Sequence, residues 1–375
     1  MDSVRAGCPP AGSFRRDIEG LRGVAILFVL LVHAQFPAGE GILFPRGYIG
    51  VDIFFVISGY LITSILARPD PRPIWRRLSD FYINRIVRLA PALIVMVSII
   101  MSSSMLSGVA SAVSEDAADA IATLFYVENF RMMQQSLAGV DINLSPWPFS
   151  HAWTLGVEAQ FYLLFAPFLL FLAKMRLRYM LLLFAAVVLP VTWLVSSSTL
   201  PGFMLLLLPG RLFPLILGAT IALLPPIGGR ASAAVAAAGL AALVALIIGY
   251  APSLPSLITP VLTAILVAPT VWRAGASDTL SRALGSRPLG FIGRISYSLY
   301  LWHWPIVGAF SGYGAGLAVE RSLLIIGLSV LAAVVSRKVI EEPFLRAKDG
   351  ERRKIAIVCV LITVLLALEL STIAG

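Results

Sequence analysis

Apolar runs of about twenty residues recur along this chain from Leu21 to Ile373, and this recurrence constrains the fold more than any other feature. A helix needs about 20 mainly apolar residues to cross a bilayer. Runs that meet this requirement fall at 21–39, 47–67, 89–109, 151–173, 178–196, 203–224, 232–250, 254–271, 289–310, 321–341 and 355–373. The segment 117–130 is too short and too polar to span, and is expected to lie on the outer face or to re-enter. Charged residues make up only 13% of the 375 residues, against about 25% in soluble domains. That balance excludes a soluble enzyme, a secreted disulfide scaffold and a disordered chain. The expected class is an all-α polytopic integral membrane protein with about eleven transmembrane helices.

Basic residues decide the orientation, because Lys and Arg concentrate in cytosolic loops. With the N-terminus in the cytosol, inner segments hold Arg15, Arg16, Arg68, Arg72, Arg76, Arg77, Arg85 and Arg88. Further along they hold Lys174, Arg176, Arg178, Arg230, Arg273, Arg282, Arg287 and the basic stretch from Arg337 to Lys354. The outer side keeps only Arg46, Arg131 and Arg321. The net charge of +9 therefore reads as membrane topology and calls for no nucleic-acid partner. Residues 1–20 read as a cytosolic leader. Cys8 and Cys359 lie at opposite ends and form no disulfide framework. The bias of arginine over lysine, with much alanine, points to a GC-rich bacterial genome. No internal repeat supports an inverted-repeat transporter.

Ionisable groups inside spans are costly and mark functional paths or paired structural sites. The three histidines, His33, His151 and His303, all lie in spans or at their outer edges, and Asp52 and Glu158 are the carboxylates at similar depth. At ~1.5 Å per residue, His33 stands ~18 Å above the inner end of its helix, with Asp52 and Glu158 ~20 Å above the inner face. Arg22 and His33 are eleven residues apart, and eleven steps of ~100° return to nearly the same face. His151 and Glu158 share a face as well, and Arg85 with Arg88 forms a basic pair at an inner helix end. The combination reads as a path across the membrane with cations inside and an imidazole–carboxylate level further out. An imidazole beside a carboxylate suits a general base, and arginines at the inner mouth suit a phosphorylated donor.

Five blocks carry a resemblance. Phe14-Arg-Arg-Asp-Ile-Glu-Gly-Leu-Arg-Gly23 followed by His33 resembles the opening motif of the membrane-bound acyltransferase-3 family, an arginine, ten intervening residues and a histidine. Gly50-Val-Asp-Ile-Phe-Phe-Val-Ile-Ser-Gly-Tyr-Leu-Ile-Thr63 resembles its second-helix motif, and Phe81-Tyr-Ile-Asn-Arg85-Ile-Val-Arg88 its basic pair. His151-Ala-Trp-Thr-Leu-Gly-Val-Glu158 and Ile295-Ser-Tyr-Ser-Leu-Tyr-Leu-Trp-His303-Trp-Pro305 are similar to two further blocks. Together they cover roughly 14–346. Ala159 stands where many members carry a second acidic residue, so that site rests on Glu158. The resemblance implies an acyltransferase-3 transmembrane domain over 21–346 and an additional helix at 355–373. Members with that helix usually enter an SGNH hydrolase-like domain, so a separate SGNH-type periplasmic partner is expected if no such domain follows.

The resemblance also implies a bacterial inner-membrane enzyme that transfers an acyl group, usually acetyl, from cytosolic acetyl-CoA or another acyl-CoA to a hydroxyl of a cell-envelope glycan or lipid-linked glycan. It implies His33 as the general base, with Asp52 or Glu158 as orienting carboxylate. Arg22, Arg85 and Arg88 would receive the CoA phosphates. His151, His303 and Tyr300 are candidate cavity or acceptor residues. Bland alternatives stand beside each. Arg22 also suits an ion pair with Glu19; Arg85 and Arg88 suit topology anchors; the carboxylates and the other histidines suit satisfied packing positions. No metal is expected, since the histidines come from three helices without ligand spacing. No Gly-x-Ser-x-Gly elbow supports a serine acyl-enzyme. Rival functions are a proton-coupled transporter or flippase, a macrolide O-acyltransferase and a thioester-gated sensor.

Overall fold

A backbone in hydrocarbon satisfies its N–H and C=O groups internally, and runs rich in Leu, Ile, Val and Ala do so as helices. The computed structural model describes residues 15–38, 41–107, 109–140, 148–172, 209–248, 258–273, 278–310 and 319–374. The helices are α1 (Arg16–Ala34), α2 (Ile49–Leu66), α3 (Ile74–Ser107), α4 (Ala110–Leu124), α5 (Glu128–Leu137), α6 (Trp153–Leu172) and α7 (Pro209–Leu223). They continue with α8 (Gly229–Ile248), α9 (Ile258–Trp272), α10 (Thr279–Leu284), α11 (Arg287–Phe310), α12 (Val319–Ser336), α13 (Glu342–Leu345) and α14 (Asp349–Ala374). Strands β1 (Pro37–Ala38) and β2 (Gly41–Ile42) pair antiparallel after α1. The protein is an all-α multi-pass membrane protein: among the described residues six helices are long and apolar enough to cross a bilayer. Two shorter apolar helices, Arg211–Leu223 and Thr259–Trp272, accompany them. The expected span at 178–196 lies outside the described residues.

Two boundaries differ from the sequence expectation. The third helix starts at Ile74, some fifteen residues before the apolar run at 89, which extends it by ~22 Å on its basic side. Hydropathy misses that extension because Arg76, Arg77, Asp80 and Arg85 interrupt the apolar pattern without interrupting the helix. The single short helix expected over 117–130 is two helices, α4 and α5, separated at Tyr126, whose φ of 58° breaks the right-handed run.

The chain divides into two compact units, 1–71 with 160–296 and 72–159 with 297–375. In the first, Leu21, Ala25, Ile53, Val56, Ile57, Leu243, Ala264 and Val267 form one buried apolar cluster. A close approach joins α2 to α7, where a Cβ on Gly59 would strike the Leu215 carbonyl and a Cβ on Gly218 the Val56 carbonyl. Small residues at facing positions let helix backbones touch, the usual device where lipid gives helices no hydrophobic drive to associate. The same device brings α1 onto α10 and α11. Gly20 meets the Leu284 carbonyl and Gly23 the Leu289 carbonyl, so the glycines flanking Arg22 set how close that arginine comes to α11.

In the second unit Leu93, Met96, Val97, Ala117, Ala120, Phe149, Leu301 and Leu370 make a separate buried cluster. At the foot of α12 the helix widens into a π-turn over Arg337–Glu341, closed by the Glu342 N–H on the Arg337 carbonyl. Pro343 supplies the reason: it has no N–H to give Val339, and its ring crowds that carbonyl in an α-turn.

Candidate functional site

The first unit holds Arg22, His33 and Asp52. α1 carries the first two on one face, about 16 Å apart along the axis. In the second turn of α1 the Arg22 guanidinium donates to Ser296 Oγ at 2.9 Å from Nη2 and lies 5.9 Å from the Phe54 ring centroid. Glu19, the alternative partner considered for Arg22, instead receives a hydrogen bond from Arg294 at 3.2 Å. His33 sits half-buried in the last turn of α1, which ends at Gln35 in the left-handed conformation (φ 50°).

Asp52 is fully buried in the first turn of α2, and its Oδ1 accepts from Arg211 on α7. Its Oδ2 finds no donor among the described residues, so one oxygen is anchored and the other keeps acceptor capacity. Arg211 is a site residue that the sequence reading passed over. Its signal was present, since it is an ionisable side chain inside the apolar run 203–224.

The second unit gathers Arg85, Arg88, His151, Glu158, Tyr300 and His303. The Tyr300 hydroxyl donates to the His151 carbonyl at 2.7 Å and accepts from Thr154 Oγ1 at 2.7 Å. The His151 ring meets His303 edge-on at 5.8 Å between centroids, and both lie beside Trp304 at 6.4 Å. His303 Nδ1 lies 2.7 Å from the Tyr300 carbonyl. A carbonyl only accepts, so Nδ1 carries the hydrogen and the neutral ring's basic lone pair lies on Nε2. The structure thus brings His151, Tyr300 and His303 together as one polar-aromatic cluster.

A second convergence lies around Tyr297, whose hydroxyl donates to the Leu89 carbonyl at 2.6 Å. Arg88 and Glu158 both stand within electrostatic reach of it, as does Glu341. The Arg85 guanidinium lies 5.4 Å from the Phe81 ring centroid. Glu341 is buried on the π-turn, accepting from Ser298 and from Arg337 Nη1 at 2.8 Å. Sequence reading missed Glu341 and Tyr297. The π-turn that places Glu341 leaves no hydropathy signature, and a tyrosine inside an apolar run reads as packing.

Residues 15–337 match the profile of the Acyltransferase domain, acyltransferase-3. The chain belongs to the acyltransferase-3 family. It is similar to the peptidoglycan O-acetyltransferase OatA of Listeria monocytogenes, 32% identical over 78% of this chain and 49% of that protein. It is also similar to the putative peptidoglycan O-acetyltransferase YrhL of Bacillus subtilis, 32% identical over 77% and 48%. The O-acetyltransferase OatA of Staphylococcus aureus strain NCTC 8325 is 29% identical over 92% and 61%. The chain therefore spans about half the length of the first two relatives. No solved structure matches it. As an acyltransferase-3 member with many apolar helices, it is a multi-pass bacterial membrane protein.

Proposed function

We propose that this chain transfers an acetyl group from cytosolic acyl-CoA to a hydroxyl of a cell-envelope carbohydrate, with peptidoglycan glycan strands as the acceptor class. The observation that carries the reading is the pair Arg22 and His33 on one face of α1, within a chain that belongs to the acyltransferase-3 family. The relatives named for peptidoglycan O-acetylation support the choice of acceptor.

Each residue has a role that its chemistry allows. His33 takes the proton of the acceptor hydroxyl as the oxygen attacks the thioester carbonyl. The new C–O bond forms, the C–S bond breaks, and the leaving CoA sulfur receives the proton from the imidazolium. Asp52, anchored through Oδ1, offers Oδ2 to orient the base or the acceptor; Glu158 is the second candidate carboxylate. Arg22, Arg85 and Arg88 hold the anionic phosphates of the donor. Residues 21–346 form the acyl-transferring domain, and 355–373 an additional span.

The test uses purified protein in nanodiscs with radiolabelled acetyl-CoA and peptidoglycan fragments. Release of one CoA thiol per base-labile acetyl ester on the glycan supports the proposal. Intact acetyl-CoA together with labelled material that carries no ester overturns it in favour of a carrier.

A further inference from the structure

The second unit carries a basic cavity that the acyl-transfer reading does not use. It lies between the feet of α3 and α14, has a volume of about 710 Å³, and is lined by Arg72, Trp75, Arg76, Asp80, Arg352 and Arg353 among others. Asp80 accepts from Arg72 Nη1 at 2.7 Å and from Arg353 Nη2 at 3.2 Å, which ties the two helix feet together. Arg352 is fixed more firmly, donating to Asn84 Oδ1 at 2.6 Å and to the Ala347 and Leu345 carbonyls. Against four guanidinium groups the lining offers the carboxylates of Asp80 and Asp349, so the cavity keeps a surplus of positive charge. That chemistry selects a phosphate.

The surroundings select what the phosphate is attached to. Trp75 is 64% exposed beside the exposed Ile74, and tryptophan favours the membrane–water interface. The Arg76 guanidinium already lies 5.1 Å from the Trp75 ring centroid, which occupies one face a purine would need. Above Arg353, α14 presents Ile357, Val360, Val364 and Leu368, all exposed and all within about 60° of Arg353 around the helix. An apolar track ~17 Å long thus rises from the rim of the basic cavity. The basic loops assign this end of both helices to the cytosolic side.

We infer that this cavity is a binding site for an anionic phospholipid, its headgroup phosphate held by Arg72, Arg76 and Arg353 and an acyl chain lying along the Ile357–Leu368 face. Basic pockets between helices at a cytosolic surface are suited to such headgroups. The site is independent of the acyl-transfer chemistry and stands whether or not that proposal holds.

Native mass spectrometry of the full chain in detergent tests it, with titration of phosphatidylglycerol, phosphatidylethanolamine, glycerol 3-phosphate and CoA. Wild type should retain phosphatidylglycerol in preference to phosphatidylethanolamine. Arg76→Ala, which removes no ion pair of the cavity, should weaken that retention roughly fivefold, and Arg76→Ala with Arg353→Ala roughly 25-fold. Ile357→Ser with Val360→Ser should weaken the diacyl lipid and leave glycerol 3-phosphate unchanged. Unaltered phosphatidylglycerol retention in Arg76→Ala overturns the inference. So does glycerol 3-phosphate binding as tightly as the lipid, which would make this a soluble-phosphate site. Displacement of the lipid by CoA, with CoA affinity itself lost in Arg76→Ala, would make it a nucleotide site and equally overturn the inference.

Discussion

Asp52 and Arg211 form an ion pair in which the carboxylate is fully buried and the guanidinium side chain only 6% exposed. Such a pair is weak evidence for net stability, but removing one partner strands a buried charge and costs about 3–5 kcal/mol. Arg211→Ala is therefore expected to lower the melting temperature sharply, and Asp52→Asn to do so as well. The double replacement Asp52→Asn with Arg211→Ala should cost less than the sum of the single changes. Thermal unfolding of the four proteins in one detergent measures this. Additive losses would show that the two side chains act independently.

Asp119 and Glu128 make a second buried acidic site, outside the spans on α4 and α5. Arg131 Nε donates to Asp119 Oδ1 at 3.0 Å and Gln135 adds a bond at 3.2 Å, yet burial pushes the Asp119 carboxyl up to about 6. Burial, with the Asp119 charge nearby, also raises Glu128 well above its ordinary value. A carboxyl raised on folding binds its proton more tightly in the folded state. Its stabilising contribution is full below the unfolded value near 3.8 and is lost as pH rises through about 6. Amide hydrogen exchange over 110–137, corrected for intrinsic rates, should show stronger protection at pH 5 than at pH 7.5. Asp119→Asn should flatten the difference. Equal or rising protection at the higher pH would contradict this account.

The contact between α2 and α7 should tolerate no side chain at Gly218. Gly→Ala in a helix ordinarily gains about 1 kcal/mol from propensity. Here the added Cβ meets the Val56 backbone carbonyl, which cannot rotate away, and overpacking of this kind costs about 1–3 kcal/mol. The collision should win, so Gly218→Ala lowers thermal stability and Gly218→Leu abolishes folded yield. Gly327→Ala on α12, where an added Cβ meets nothing, should be neutral or stabilising. A stabilised Gly218→Ala would show that the helices separate without cost.

The hydrophobic class and most helices were legible because lipid leaves the backbone little choice: a run such as Gly229–Ile248 has no other folded form in a bilayer. The basic foot of α3 was not legible, because hydropathy reports only the part of a helix that meets hydrocarbon. Arg22, His33 and Asp52 stood out as ionisable groups in apolar runs, and Arg211 belonged with them by the same rule. What sequence withheld was pairing. Nothing in the order of residues tells that Asp52 meets Arg211 while Glu19 meets Arg294, or that Pro343 opens a π-turn that aims Glu341 at Ser298. Those partners are set by helix packing through Gly20, Gly23, Gly59 and Gly218, which composition registers only as small residues.

The central claim is that His33 removes the acceptor proton and is dispensable for donor binding. Its most direct test compares wild type, His33→Ala and Arg88→Ala in nanodiscs, reading both acetyl transfer to peptidoglycan fragments and acetyl-CoA affinity. Transfer by His33→Ala should fall roughly 10²–10⁴-fold with acetyl-CoA affinity and melting temperature unchanged. Arg88→Ala should weaken acetyl-CoA roughly tenfold or more through loss of a charge-assisted contact. Transfer by His33→Ala at the wild-type rate would contradict the account.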